Sequence, residues 1–129
     1  MVINMKKTIL GLTTGHQSII KFVLSKYKDT ELQMLRDLIA DPKFKVASYY
    51  VEIPMSKHEL ILLFETLNNY IYAHYVGTID MYTPYIDVLE TIQECIPKVI
   101  EQEELSTDKI QALLNWKFDK NKIQCSKKH

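Results

Sequence analysis

The sequence predicts a mainly α fold, a compact bundle of about five helices with at most one short pair of β-strands, residues 7–13 and 44–53. Three observations lead there. Apolar residues recur at helical spacing through most of the 129 residues. Ser or Thr repeatedly stands ahead of such a stripe, with Gln or Glu three residues later, as a helix N-terminus requires. Prolines stand where the stripes begin or break. A chain of this length buries about two-thirds of its unfolded surface, so a single domain over residues 1–129 needs no covalent staple.

Thr14–Gln17 fits a capping box with Thr14 as cap. Ile19, Phe22, Val23 and Tyr27 share one face behind it, which predicts a helix over about 15–28. Thr30–Gln33 repeats the box, and Leu32, Leu35, Leu38 and Ile39 form a second stripe that Asp41–Pro42 should end. In KFKVASYYVEIP, Tyr49, Val51 and Ile53 alternate, which favours a strand over a helix. Its one good partner is KTILGLT, residues 7–13.

Ser56–Glu59 is the clearest capping box. The helix behind it should reach about Val76, with Gly77 as its left-handed cap. Leu60, Phe64, Leu67 and Ile71 form its core line, but Ile61, Leu62 and Tyr72 widen the apolar arc. Such a helix is central to the fold or is touched on two sides. Thr83–Pro84 opens the next helix. Tyr85, Leu89, Ile92, Ile96 and Ile100 keep one register through Pro97, where a kink or a junction of two helices is expected. Ser106 or Asp108 should cap a last helix carrying Ile110, Leu113, Leu114 and Phe118. From about 119 the chain becomes a basic tail expected to fray.

Composition narrows the function. Formal net charge is zero, so a whole-protein field that draws nucleic acid is not expected. No stretch approaches the roughly 18 apolar residues of a membrane span. The run Ile9–Leu12 is short and broken by Gly11, unlike a signal segment. Cys95 and Cys125 form no framework and read as free thiols. A cytoplasmic protein is the expectation.

Chemistry-specific motifs are absent. His58–Glu59 opens like the zinc motif His-Glu-x-x-His, but Leu62 stands where the second imidazole should be. No serine or cysteine stands in a nucleophile signature, so no catalytic residue, metal or cofactor is assigned. His74 falls near the core line of its helix, where a half-buried, hydrogen-bonded imidazole is expected. The region from Gly11 to Ser18 orders an apolar run, glycines and a helix start, which can cradle an anion. The spacing departs from a P-loop, so a small ligand- or nucleotide-binding protein or enzyme is the alternative reading.

Charge and tyrosines carry the main expectation. Asp87, Glu90, Glu94 and Glu101 would lie within an arc of about 60° on a straight helix, opposite its apolar line. Residues 68–87 hold five of the eight tyrosines, of which Tyr70, Tyr72 and Tyr82 fall off the core faces. Tyrosine suits binding surfaces because its ring is apolar and its tip polar. These seven residues are the expected partner-binding set. They point to a non-enzymatic protein-binding module, of the inhibitor or immunity type, that covers a basic surface on a partner such as a toxin. The comparison rests on size and charge alone. The same tyrosines would serve a homodimer.

Overall fold

The computed structural model describes residues 6–74 and 82–119. In chain order its elements are β1 (Lys7–Thr13), α1 (Thr14–Leu24), α2 (Gln33–Ala40), β2 (Lys45–Ala47), β3 (Tyr50–Ser56), α3 (Lys57–His74), α4 (Thr83–Cys95) and α5 (Asp108–Leu114). Short 3₁₀ segments at Thr30–Leu32, Pro42–Phe44, Ile96–Lys98 and Gln102–Ser106 link them. The expected mainly α fold with a small strand component is present. The Gly77 cap and the tail beyond Asp119 lie outside the described residues.

The sheet is antiparallel in the order β1-β3-β2. β1 pairs with β3 from Lys7↔Ser56 to Thr13↔Tyr50. Directly opposed residues share a face, so Leu10, Leu12, Val51, Ile53 and Met55 all point to one side, and all five are buried. The single strand expected over 44–53 is instead two. Ser48 and Tyr49 turn the chain, and the register of β2 on β3 shifts between Lys45 and Ala47. β3 then continues through Pro54. Among the described residues β2 reaches only to Val51, so Pro54 sits where one edge of β3 carries no neighbour and a proline is tolerated.

Both long strands pass without a loop into helices, and each junction is capped. At the first, Thr13 rather than Thr14 is the cap: its Oγ1 accepts the His16 N–H at 3.0 Å. At the second, the expected box forms. The Ser56 N–H donates to Glu59 Oε1 at 2.8 Å, and the Glu59 N–H points at Ser56 Oγ at 3.4 Å, with both residues buried. α1 ends at Leu24, short of residue 28. The Ser25 hydroxyl turns back onto the Phe22 carbonyl at 2.6 Å, and the Arg36 guanidinium takes the Leu24 carbonyl at 3.1 Å and also that of Tyr27. Gln17 returns the favour by donating to Ile39 O at 2.8 Å at the end of α2. The Thr30 box does not form, and a 3₁₀ turn leads into α2 instead.

Helices α1, α3 and α4 pack on one another, with α1 and α4 also reaching β1 and α3 reaching β3. Pro97 ends the regular helix as expected: α4 stops at Cys95, and Ile96–Lys98 form a 3₁₀ turn. The apolar register survives the change of backbone, because Ile96, Val99 and Ile100 remain buried. Thr107 caps α5, its Oγ1 accepting from the Ile110 N–H at 3.4 Å. The Cys95 thiol is buried and directed at Ile9 O, 3.6 Å away. Burial pushes its pKa up, which keeps it protonated and unreactive.

The wide apolar arc of α3 is met within the chain. Phe64 holds Trp116 edge-to-face with centroids 5.2 Å apart. Tyr72 stacks on Phe118 at 5.5 Å and its hydroxyl accepts the Asp119 N–H at 2.9 Å. α3 is therefore the central helix, touched on several sides. Its junction with β3 should be sensitive: Glu59→Ala leaves the buried Ser56 N–H without its acceptor. A loss of about 1–3 kcal/mol in urea unfolding is expected. An unchanged midpoint would show that the box contributes nothing.

Candidate functional site

The first turns of α4 lie beside the end of α3 and beside α1, and their aromatic rings meet there. Tyr70 is the hub. Phe22 of α1 stands edge-on to it at 6.1 Å, Tyr85 of α4 stacks on it at 6.3 Å, and His74 tilts against it at 4.6 Å. Tyr82 leans on Tyr85 at 5.3 Å and donates its hydroxyl to the His74 carbonyl at 3.1 Å. The cluster is not sealed. Phe22 is 45% exposed, with the Lys26 ammonium 4.6 Å from its ring centroid, and Tyr70, Tyr82 and Tyr85 are half-buried. Burial raises the phenol pKa of Tyr27, Tyr70 and Tyr85, and the crowding of phenols adds to it.

Tyr70, Tyr72 and Tyr82 are thus less free than expected. Tyr70 and Tyr82 belong to the cluster, whereas Tyr72 lies apart under the C-terminal segment. The packing on Tyr70 and Tyr72 comes from Phe22 and Phe118, distant in sequence, so helical phase alone does not show it. Phe22 and Tyr85 read as core in the sequence, yet they complete the half-open surface. His74 also departs from expectation. It is exposed; among the described residues the last buried position on α3 is Ile71.

Asp87, Glu90 and Glu94 are all exposed on the outer face of α4, opposite Val88, Leu89 and Ile92. Among the described residues none of the three forms an ion pair. Glu101 does not join them. The helix has ended at Pro97, and Glu101 begins the 3₁₀ segment Gln102–Ser106, where its N–H donates to Glu104 Oε1 at 2.8 Å. It lines a cavity of about 230 Å³ with Lys6, Lys57 and His58, a patch of mixed charge. Glu104 binds Lys57 there. The Glu101 N–H and the Lys57 ammonium together hold the Glu104 carboxyl below the usual range.

The alternative site, from Gly11 to Ser18, has the strand it requires but no loop to wrap an anion. The Thr14 N–H donates to Tyr49 O at 3.0 Å, and the His16 N–H is held by Thr13. Two donors at the helix start are therefore engaged within the chain. Gly11 serves a different purpose: a Cβ there would lie 1.9 Å from the Tyr50 hydroxyl, so its bareness seats that ring on the sheet.

No family model, curated protein or solved structure matches this chain. Among the described residues no helix is long and apolar enough to cross a membrane.

Two pH dependences follow from the shifted groups. Raised phenol pKa values favour the neutral form in the folded state. Their contribution is complete below the ordinary tyrosine value near 10 and is lost as pH rises above it. An ultraviolet phenolate titration should show late-titrating tyrosines that Tyr70→Phe makes fewer and earlier. Glu104 has the opposite sign. Its depressed pKa stabilises the fold at neutral pH, and that contribution fades as pH falls through and below the ordinary carboxylate range near 4.5. Urea midpoints of the native chain and Glu104→Gln should differ at neutral pH and converge in acid.

Proposed function

We propose that this chain is a protein-binding module of the inhibitor or immunity type, which covers a basic surface on a partner such as a toxin. The observation that carries the reading is the outer face of α4. Asp87, Glu90 and Glu94 project into solvent at spacings of three and four, and among the described residues none forms an ion pair. Like charges at that spacing cost a helix about 0.2–0.5 kcal/mol per pair, so the face opposes folding slightly and needs another reason. A single-sign face speeds encounter with an opposite one and rejects like-charged competitors.

The aromatic cluster lies at the start of the same helix, with Tyr85 on the side away from Asp87. Half-exposed rings on a fixed scaffold suit contact with a partner, because little side-chain freedom remains to be lost. Binding, rather than catalysis, is the activity assigned.

The test uses Glu90→Lys combined with Glu94→Lys. Both positions are exposed, so folding stability should stay within about 0.5 kcal/mol of the native chain. A partner captured from native lysate by the wild-type chain and released by moderate salt should bind the reversed variant at least roughly tenfold more weakly. Equal capture by both proteins would refute the acidic face as the binding surface. Light scattering of the purified chain separates a partner from self-association: a dimer that survives the charge reversal would point to the homodimer instead.

A further inference from the structure

Between α3 and α5 lies a cleft of about 460 Å³, within the range of roughly 300–1,000 Å³ seen for small-molecule sites. Its apolar wall is the Phe64–Trp116 pair, fixed edge-to-face at 88°. The backbone that carries the indole is tied down. One side-chain amide, Gln93 Nε2, donates toward three carbonyls at the end of α5: Leu113 at 2.8 Å, Leu114 at 3.2 Å and Trp116 itself at 2.9 Å. Phe64 is buried to 1% exposure. The aromatic wall therefore exists before any ligand arrives.

The polar side of the cleft is unfinished. Asn68 lies one helical turn beyond Phe64 and lines the same space. Its Oδ1 is buried and has no hydrogen-bond partner. Among the described residues its side chain makes no hydrogen bond at all. A buried amide oxygen without a donor is costly, and folded proteins leave few of them. The terminal torsion of asparagine is broad and two-fold, so a half-turn exchanges the oxygen and the nitrogen facing the cleft. Asn68 can then present either a donor or an acceptor to the cleft. At the rim, Glu65 and Lys109 pair across the two helices at 3.5 Å, with Asn69 beside them.

We propose that this cleft binds a planar N-heteroaromatic ring whose edge carries an adjacent donor and acceptor, the chemistry of a nucleobase. The ring packs against the indole of Trp116, as bases pack on aromatic side chains. Asn68 reads its edge, since its carboxamide can turn either a donor or an acceptor toward the ring. The Glu65–Lys109 pair lies where a sugar or phosphate substituent would emerge. The site stands independently of the acidic face of α4.

Trp116 is the single tryptophan of the chain, so its fluorescence reports on this cleft alone. The experiment titrates the full chain with adenosine, guanosine, cytidine and uridine, and with their 5′-monophosphates. Saturation-transfer NMR on the same mixtures excludes optical artefacts. At least one compound should saturate the signal below the millimolar range, with transfer strongest at the ring protons. Nucleoside against nucleotide affinity tells whether the natural ligand carries a phosphate. Asn68→Ala should weaken binding roughly tenfold or more with unchanged circular dichroism. Should that variant fold poorly, Ala112→Phe fills the cleft from the exposed side of α5 and should abolish binding. No saturation by any of the eight compounds would overturn the proposal. So would saturable binding that Ala112→Phe leaves intact, because the ligand would then sit elsewhere.

Discussion

The pairing of β1 with β3 is the constraint on which the rest of the structure depends. It places five apolar side chains, Leu10, Leu12, Val51, Ile53 and Met55, on one face of a two-strand ribbon. A hydrophobic face of that kind must be covered, and the covering helices are continuous with the strands themselves. Because Thr13 runs into α1 and Ser56 into α3, the start of each helix is fixed at opposite ends of the ribbon. No loop can absorb an error at either junction. The threonine cap and the Ser56–Glu59 box hold the two places where backbone geometry changes from extended to helical. α4 then completes the layer, its Cys95 thiol against the Ile9 carbonyl on β1.

Much of this was legible in the sequence because it is local. A capping box needs only four residues, and the Ser56 box formed as read. Proline's missing N–H acts on its own turn, so the start of α4 at Thr83–Pro84 and its end before Pro97 were both visible. What escaped is non-local or depends on where a neighbour stops. Pro54 is tolerated in β3 because β2 is short, which the sequence of β3 does not record. α1 ends early where Arg36, on another helix, takes the Leu24 carbonyl and that of Tyr27 beyond it. In each case a residue on another element decides a local boundary.

The candidate site divides in the same way. The spacing of Asp87, Glu90 and Glu94 is a local property of one helix, and their shared outward face was readable. Glu101 continued the spacing only on the premise of a straight helix. The apolar register did continue past Pro97 in burial, so the core pattern and the backbone parted company there. Ile96, Val99 and Ile100 reach the core from non-α backbone, while Glu101 swings toward Lys57. The tyrosines were the least legible. An aromatic off the core face of its own helix is exposed only if nothing else covers it. Tyr72 is covered by Phe118, 46 positions further on, while Tyr70 is met by Phe22 and Tyr85.

The three faces of α4 show what folding does and does not explain. Val88, Leu89, Ile92 and Cys95 bury one face against the sheet and helices. On its flank, Gln93 gathers the end of α5, satisfying carbonyls that a helix C-terminus leaves open. Both faces have evident tasks in holding the molecule together. The third face, with Asp87, Glu90 and Glu94, touches nothing that would neutralise it among the described residues. Thr91 stands on the same face and Lys98 four residues after Glu94, yet among the described residues none of the three acids forms an ion pair. The fold's contribution is to hold those three carboxylates in solvent on a rigid helix, where the proposed partner would meet them.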